Sequence, residues 1–128
     1  MRIIPIPNKL VRQRGLKIIE DAAEMIGQTY NEIPCGSFGD ISTFSFYPNK
    51  HITTGEGGMI VTDDYEKYKW YKEAVLNGMT YAENNWERDI SFPGYKMYMN
   101  SIQAKILLNN FKLKAPQLRG LFAGLRMS

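Results

Sequence analysis

Four short apolar runs, IIPI at 3–6, LKII at 16–19, ISTFSF at 41–46 and GGMIVT at 57–62, frame any fold open to this chain. Each is bounded by Gly, Pro, Asn or Asp, and most are rich in β-branched or aromatic residues, the pattern of strands. Pro5 and Pro7 demote the first run to an edge piece or an extended lead-in, because proline donates no ladder hydrogen bond. Helical patterns lie between and after the runs. Asp21 can cap AAEMIG, and Asp63 or Asp64 can cap YEKYKWYKEAVLNG, where Tyr68, Tyr71 and Val75 share a face and Gly78 can close the helix. A last helix reads NSIQAKILLNNFKLK, with Ile102, Ile106, Leu107 and Phe111 as an apolar stripe and Pro116 as its end. Strands alternating with helices argue for an α/β layered fold. Three or four strands leave sheet edges and helix faces uncovered, so residues 1–128 read as a single partial domain, incomplete and part of something larger.

Composition removes several classes. The 128 residues are 44% apolar and 23% charged, a globular balance suited to one domain. No run approaches the ~20 apolar residues of a membrane span. The start MRIIPIPNKLVRQRG lacks the apolar stretch and small-residue cleavage site of a secretory signal. One cysteine, Cys35, excludes an internal disulfide, and Cys35 with the single histidine, His51, supplies too few soft ligands for a zinc cluster. A cytoplasmic protein is the expectation. The net charge of +3 hides an uneven distribution: residues 1–17 and 90–128 carry bases and no acid, whereas all 13 acids lie in 18–89. Basic flanks can mean nucleic acid, but these bases are widely spaced and form no dense cluster, so nucleic-acid binding is not expected.

The residues that can carry chemistry lie between Ile18 and Thr62. Lys50 follows Pro48-Asn49 between a strand and a Gly-rich turn. A lysine held there and partly removed from water can present its amine to a carbonyl and form a Schiff base. The plainer reading is a solvated loop lysine. Asp21 closes an apolar strand, where open α/β sheets put ligands, but it also suits a helix N-cap. One oxygen cannot serve both. Ser45 lies on a strand five residues before Lys50, and its hydroxyl can donate to a phosphate or simply be a small packed group. TTGEGG at 53–58 reads as a tight turn into a strand; without a following Lys-Ser or Lys-Thr it is not a phosphate loop of the GxxxxGK type.

Taken together, IIEDAAEMIGQTYNEIPCGSFGDISTFSFYPNKHITTGEGGMIVTDD resembles the core block of the DegT/DnrJ/StrS-type sugar aminotransferases, fold type I enzymes dependent on pyridoxal phosphate. FPGYKMYMNSIQAK resembles the family's downstream GYKYNM-type block and the helix after it. The likeness spans residues 14–113 and leaves 114–128 as a divergent tail. It implies part of a large domain, a mostly parallel sheet with flanking helices. It also implies roles. Lys50 would be the Schiff-base lysine and proton shuttle, Asp21 the partner of the protonated pyridine nitrogen, and Ser45 a donor to the cofactor phosphate. Glu24 falls where many members carry Gln or His beside the cofactor's phenolic oxygen, and points to the perosamine-synthase-like branch. Lys50 argues against the related dehydratases, which carry histidine there; His51 is out of register and reads as a loop residue. The implied substrates are a nucleotide-diphosphate keto-sugar and L-glutamate, in amino-sugar and surface-polysaccharide biosynthesis, and the implied assembly is a homodimer or a pairing with a homologous chain.

The chain also departs from the family. The upstream Gly-Thr phosphate loop, the aromatic that stacks on the pyridine ring and the C-terminal small domain are not in these residues. Tyr98 stands where an asparagine is expected to reach a partner's cofactor phosphate. Lys105 and Leu107 replace small residues, which predicts crowding at a close helix contact. These departures predict a truncated core segment inactive alone. The alternative is a non-catalytic remnant or split-enzyme subunit that associates with a homologous chain.

Overall fold

The computed structural model describes residues 8–80 and 89–118, so the IIPI run lies outside the described residues. A short helix α1 (Asn8–Gln13) leads through turns to strand β1 (Ile19–Asp21). The hairpin β2 (Thr29–Tyr30) and β3 (Ile33–Pro34) follows, then β4 (Ile41–Ser45), β5 (Gly58–Val61), α2 (Tyr65–Ala74) and α3 (Ser101–Leu118). The main sheet has the order β1-β4-β5. β1 pairs parallel to β4 with Asp21 opposite Thr43, and β4 pairs antiparallel to β5 with Ser45 opposite Gly58. The architecture is the α/β class expected, and over the described strands the sheet is mixed. Among the described residues no helix is long and apolar enough to cross a membrane.

The second apolar run, LKII, becomes a strand only at its end. Asp40 decides this. Its Oδ2 accepts from Ile18 N at 2.9 Å, while the carbonyl of Ile18 accepts from Asp40 N at 2.9 Å, so pairing with β4 begins at Ile19 and leaves Leu16 exposed. The Ile18 N–H and, behind it, the Lys17 ammonium hold the Asp40 carboxyl below the usual aspartate range.

The helix expected over AAEMIG does not form. Instead Met25 N donates to Ala22 O and Gln28 N to Met25 O, and Gly27 takes φ +77°. Ala22 and Ile26 are buried by this course of the chain, and a left-handed Gly27 stops any helix within one turn. The hairpin that follows turns through Asn31 (φ 48°) and Glu32 (φ 66°), the two positive values of a type I′ turn. The second position favours glycine, and Glu32 sits there under strain.

Asp64 caps α2 as expected, its Oδ1 accepting from Glu66 N at 3.1 Å and Lys67 N at 3.2 Å. Gly78 takes φ +74° after the helix and gives its N–H to Glu73 O; a Cβ there would meet Phe92 O at 1.7 Å. The face expected of Tyr68, Tyr71 and Val75 contains no buried residue.

Among the described residues the buried apolar side chains are Ala22, Ile26, Phe46 and Ile52, and Phe44, Met99, Leu107 and Phe111 pack against the Ile26, Phe46 and Ile52 cluster. Helix α3 thus docks through Leu107 and Phe111, while Ile102 and Ile106 of the expected stripe are exposed. Leu107 fits the core and Lys105 is exposed, so neither crowds a contact among the described residues. Pro116 does not end α3, which runs on to Leu118. Proline lacks an N–H and so removes one backbone bond, but the helix continues past it for two residues.

Candidate functional site

The 12 residues between β4 and β5, 46–57, hold the candidate lysine in a closed loop. Phe46 ties its base. Phe46 N donates to Gly57 O at 2.9 Å, and Phe46 O accepts from Thr54 N at 3.0 Å and Thr53 Oγ1 at 2.8 Å. Phe46 and Ile52 are fully buried beneath the loop. Inside the loop Lys50 N donates to Tyr47 O at 3.0 Å. The TTGEGG turn supplies the return: Gly55 and Gly57 take φ +83° and +135°, and Gly55 N donates to Thr53 Oγ1. These conformations need glycine, which explains the composition of the turn.

Lys50 is not a solvated loop lysine. Its side chain is 13% exposed, and its Nζ forms an ion pair with Glu24 Oε1, whose side chain is 58% exposed. Burial of Ala22 and Ile26 on either side presents Glu24 from the irregular 22–28 segment toward the loop.

Asp21 and Ser45 reach one side of the sheet by register. Asp21 is opposite Thr43, and Ser45 lies two residues farther along β4, which returns it to the same face. Asp21 is exposed and its Oδ1 accepts from Ala23 N at 3.0 Å, a local turn in place of the expected helix cap. Ser45 Oγ accepts from Tyr47 N at 3.2 Å, which leaves its O–H to donate elsewhere. Thus the structure joins Glu24 to Lys50 directly and sets Asp21 and Ser45 on a common sheet face. His51 is exposed on the loop, and Tyr98 is half exposed just before α3.

Further residues position the site without having stood out in the sequence. Asn100 and Gln103 cap α3 reciprocally, Gln103 N donating to Asn100 Oδ1 at 2.9 Å and Asn100 N to Gln103 Oε1 at 3.1 Å. Gln103 Nε2 also donates to Glu56 O at 3.0 Å, and Asn110 Nδ2 to Thr53 O at 3.3 Å, so α3 braces the turn that closes the lysine loop. The spacing N-x-x-Q was the available signal. Glu20 braces the opposite side. Its oxygens accept from Gly36 N (2.6 Å), Phe38 N (2.8 Å), Gly39 N (3.2 Å) and Ser42 Oγ (2.9 Å). Nothing in the local sequence marks this, because its partners lie 16 or more residues away.

This donor set suits pyridoxal phosphate in part. An enclosed amine matches an aldehyde, an exposed carboxylate matches a protonated ring nitrogen, and a hydroxyl with a spare proton matches a phosphate oxygen.

Several known proteins resemble this chain over most of its length. GDP-perosamine synthase of Escherichia coli O157:H7 is 44% identical over 98 residues, 77% of this chain and 26% of that protein. Helicobacter pylori PseC, an aminotransferase involved in the biosynthesis of pseudoaminic acid, superposes with TM-score 0.78 at 33% identity over 86% of this chain and 29% of its own. The putative sugar aminotransferase Spr1654 of Streptococcus pneumoniae, in its PLP form, superposes with TM-score 0.70 at 36% identity over 80% and 26%. The chain therefore spans under a third of the length of these relatives. The family described as DegT/DnrJ/EryC1/StrS aminotransferase matches residues 4–117, nearly the whole sequence, and the chain belongs to that family.

Proposed function

We propose that this chain is the core segment of a cytoplasmic, pyridoxal-phosphate-dependent aminotransferase of nucleotide-linked keto-sugars, with L-glutamate as amino donor. The observation that carries the reading is Lys50, an amine enclosed in a pinned loop beside Glu24, next to a sheet face bearing Asp21 and Ser45. The cofactor would supply an electron sink for the carbon that gains or loses a proton. The residues of this chain do the rest. Lys50 Nζ binds the aldehyde and, once released, carries the proton to and from the substrate carbon. The Asp21 carboxylate holds a proton on the ring nitrogen, and Ser45 Oγ donates to the phosphate. Glu24 lies beside Lys50 Nζ and holds it in an ion pair. The GDP-sugar chemistry named for the E. coli relative supports the substrate class.

With under a third of the relatives' length, the proposal includes completion of the site by further protein, through a homodimer or a homologous chain. A second reading, a non-catalytic remnant or split-enzyme subunit that only associates, is favoured by the exposed apolar residues Ile19, Trp70, Ile102 and Leu113. One experiment separates the two. The chain is mixed with pyridoxal phosphate, reduced with borohydride and digested for peptide mapping. A stoichiometric label on Lys50 supports the aminotransferase core, and assays with glutamate and keto-sugars follow. Scattered labelling of surface lysines would favour the remnant.

A further inference from the structure

The contact between Glu24 and Lys50 bears on how the site is loaded. The proposed reaction needs the Lys50 amine as a nucleophile, yet the structure holds it in an ion pair. An ammonium engaged by a carboxylate has no lone pair to attack a carbonyl. One of the two partners must move before any aldehyde can be captured.

The structure distinguishes which. Lys50 belongs to the loop pinned at Phe46, with Ile52 buried beneath it and the 53–57 turn braced by Gln103 and Asn110. Its side chain is 13% exposed. Glu24 belongs to a segment of single turns, without helix or strand ladder, and its side chain is 58% exposed. Its carboxylate can swing into water at little cost, whereas the lysine side chain is largely enclosed. We infer that Glu24 is a positioning residue that latches the uncondensed Lys50, and that aldehyde capture waits on release of the Glu24 carboxylate. This rests on the assignment of Lys50 as the aldehyde-binding lysine.

The step balances simply. Once the carboxylate is released, Nζ gives one proton to water; its lone pair then attacks the aldehyde carbon. The carbonyl oxygen leaves as water and a C=N bond forms, which borohydride reduces to a stable secondary amine.

The test follows the rate at which Lys50 is labelled by pyridoxal and by pyridoxal phosphate, trapped with borohydride and read by peptide mapping. Wild type, Glu24→Gln and Glu24→Asp are compared at neutral pH, each first checked for the same circular dichroism. Glu24→Gln should label about 1.5- to fivefold faster, the range for removing one exposed ion pair. Glu24→Asp, which keeps the charge, should stay near wild type. Added salt should speed labelling of wild type by pyridoxal and leave Glu24→Gln unchanged, because only the former has a pair to screen. Pyridoxal carries no phosphate, so its rates are free of salt effects on phosphate binding. Labelling of Lys50 at equal rates in wild type and Glu24→Gln would overturn the latch and leave the lysine assignment standing. Absence of label from Lys50 in every variant would overturn that assignment, and the latch with it.

Discussion

Glu20 and Asp21 are consecutive carboxylates on β1, and the fold treats them in opposite ways. Glu20 turns to the side of Ser42 and the 36–39 loop, where four donors meet its two oxygens. Asp21 turns to the side of Thr43 and Ser45, is exposed, and accepts one short-range bond from Ala23 N. Alternation along a strand separates them, one residue to each face. A carboxylate whose oxygens are occupied by backbone N–H groups is committed to holding structure. One left exposed at a strand's C-terminal end is available to a ligand. Chemical type is identical, and the difference lies entirely in what the other strands and loops bring opposite.

That contrast can be broken by substitution. Glu20→Ala strands three backbone N–H groups and a hydroxyl, and should cost about 3 kcal/mol in urea unfolding, the scale of losing several charge-assisted bonds. Asp21→Asn should change unfolding by under about 1 kcal/mol, as surface substitutions do, while weakening retention of pyridoxal phosphate. Equal destabilisation by the two variants would erase the distinction. A smaller effect of opposite sign belongs to the hairpin: Glu32→Gly relieves a side chain held at φ 66° and should stabilise by about 1 kcal/mol, with Lys50 labelling unchanged.

Acid sets apart two further carboxylates that are held by nearby donors. Asp40 is held below its ordinary range by Ile18 N–H and Lys17, and Asp64 by Lys67 through both its side chain and its backbone N–H. A carboxyl more acidic in the folded than in the unfolded chain stabilises above the unfolded value, near 3.9, and loses that contribution as pH falls through its lowered folded value. Thermal unfolding of Asp40→Asn should therefore show a shallower loss of stability below about pH 4 than wild type. The mildest effect concerns Cys35, whose thiol is pushed up first by burial and then by the Glu20 charge. It should alkylate more slowly than a free thiol near pH 8.5, and Glu20→Gln should recover only the smaller part of the difference, burial being the larger cause.

Local pattern was enough for several elements. An aspartate before an aromatic and basic run announced the cap of α2, with Asp63 and Asp64 both open to the role and Asp64 filling it, and the β-rich runs at 41–46 and 57–62 announced β4 and β5. The FSFYPNK and GEGG segments carried the family resemblance, which the comparisons bear out. Other features misled because a competing interaction outweighed the pattern. The AAEMIG segment has helical spacing, but burial of Ala22 and Ile26 and the left-handed Gly27 fold it into turns. The apolar stripe of the last helix is narrower than its spacing predicts; Leu107 and Phe111 meet the core, and Ile102 and Ile106 do not. Pro116 breaks one bond of α3 without ending it.

Residue order alone settles which groups are available: an amine at 50, carboxylates at 20, 21 and 24, a hydroxyl at 45, and glycines where the lysine loop must turn. It also settles the family, because that motif depends on spacing along one stretch of chain. The division of labour among those groups belongs to the tertiary structure. Parallel pairing of β1 with β4 sends Glu20 to the loop and Asp21 to the open face, and the buried base at Phe46 brings Lys50 against Glu24. A carboxylate's role depends on the donors and solvent around it, and those arrive from segments 16 to 26 residues away.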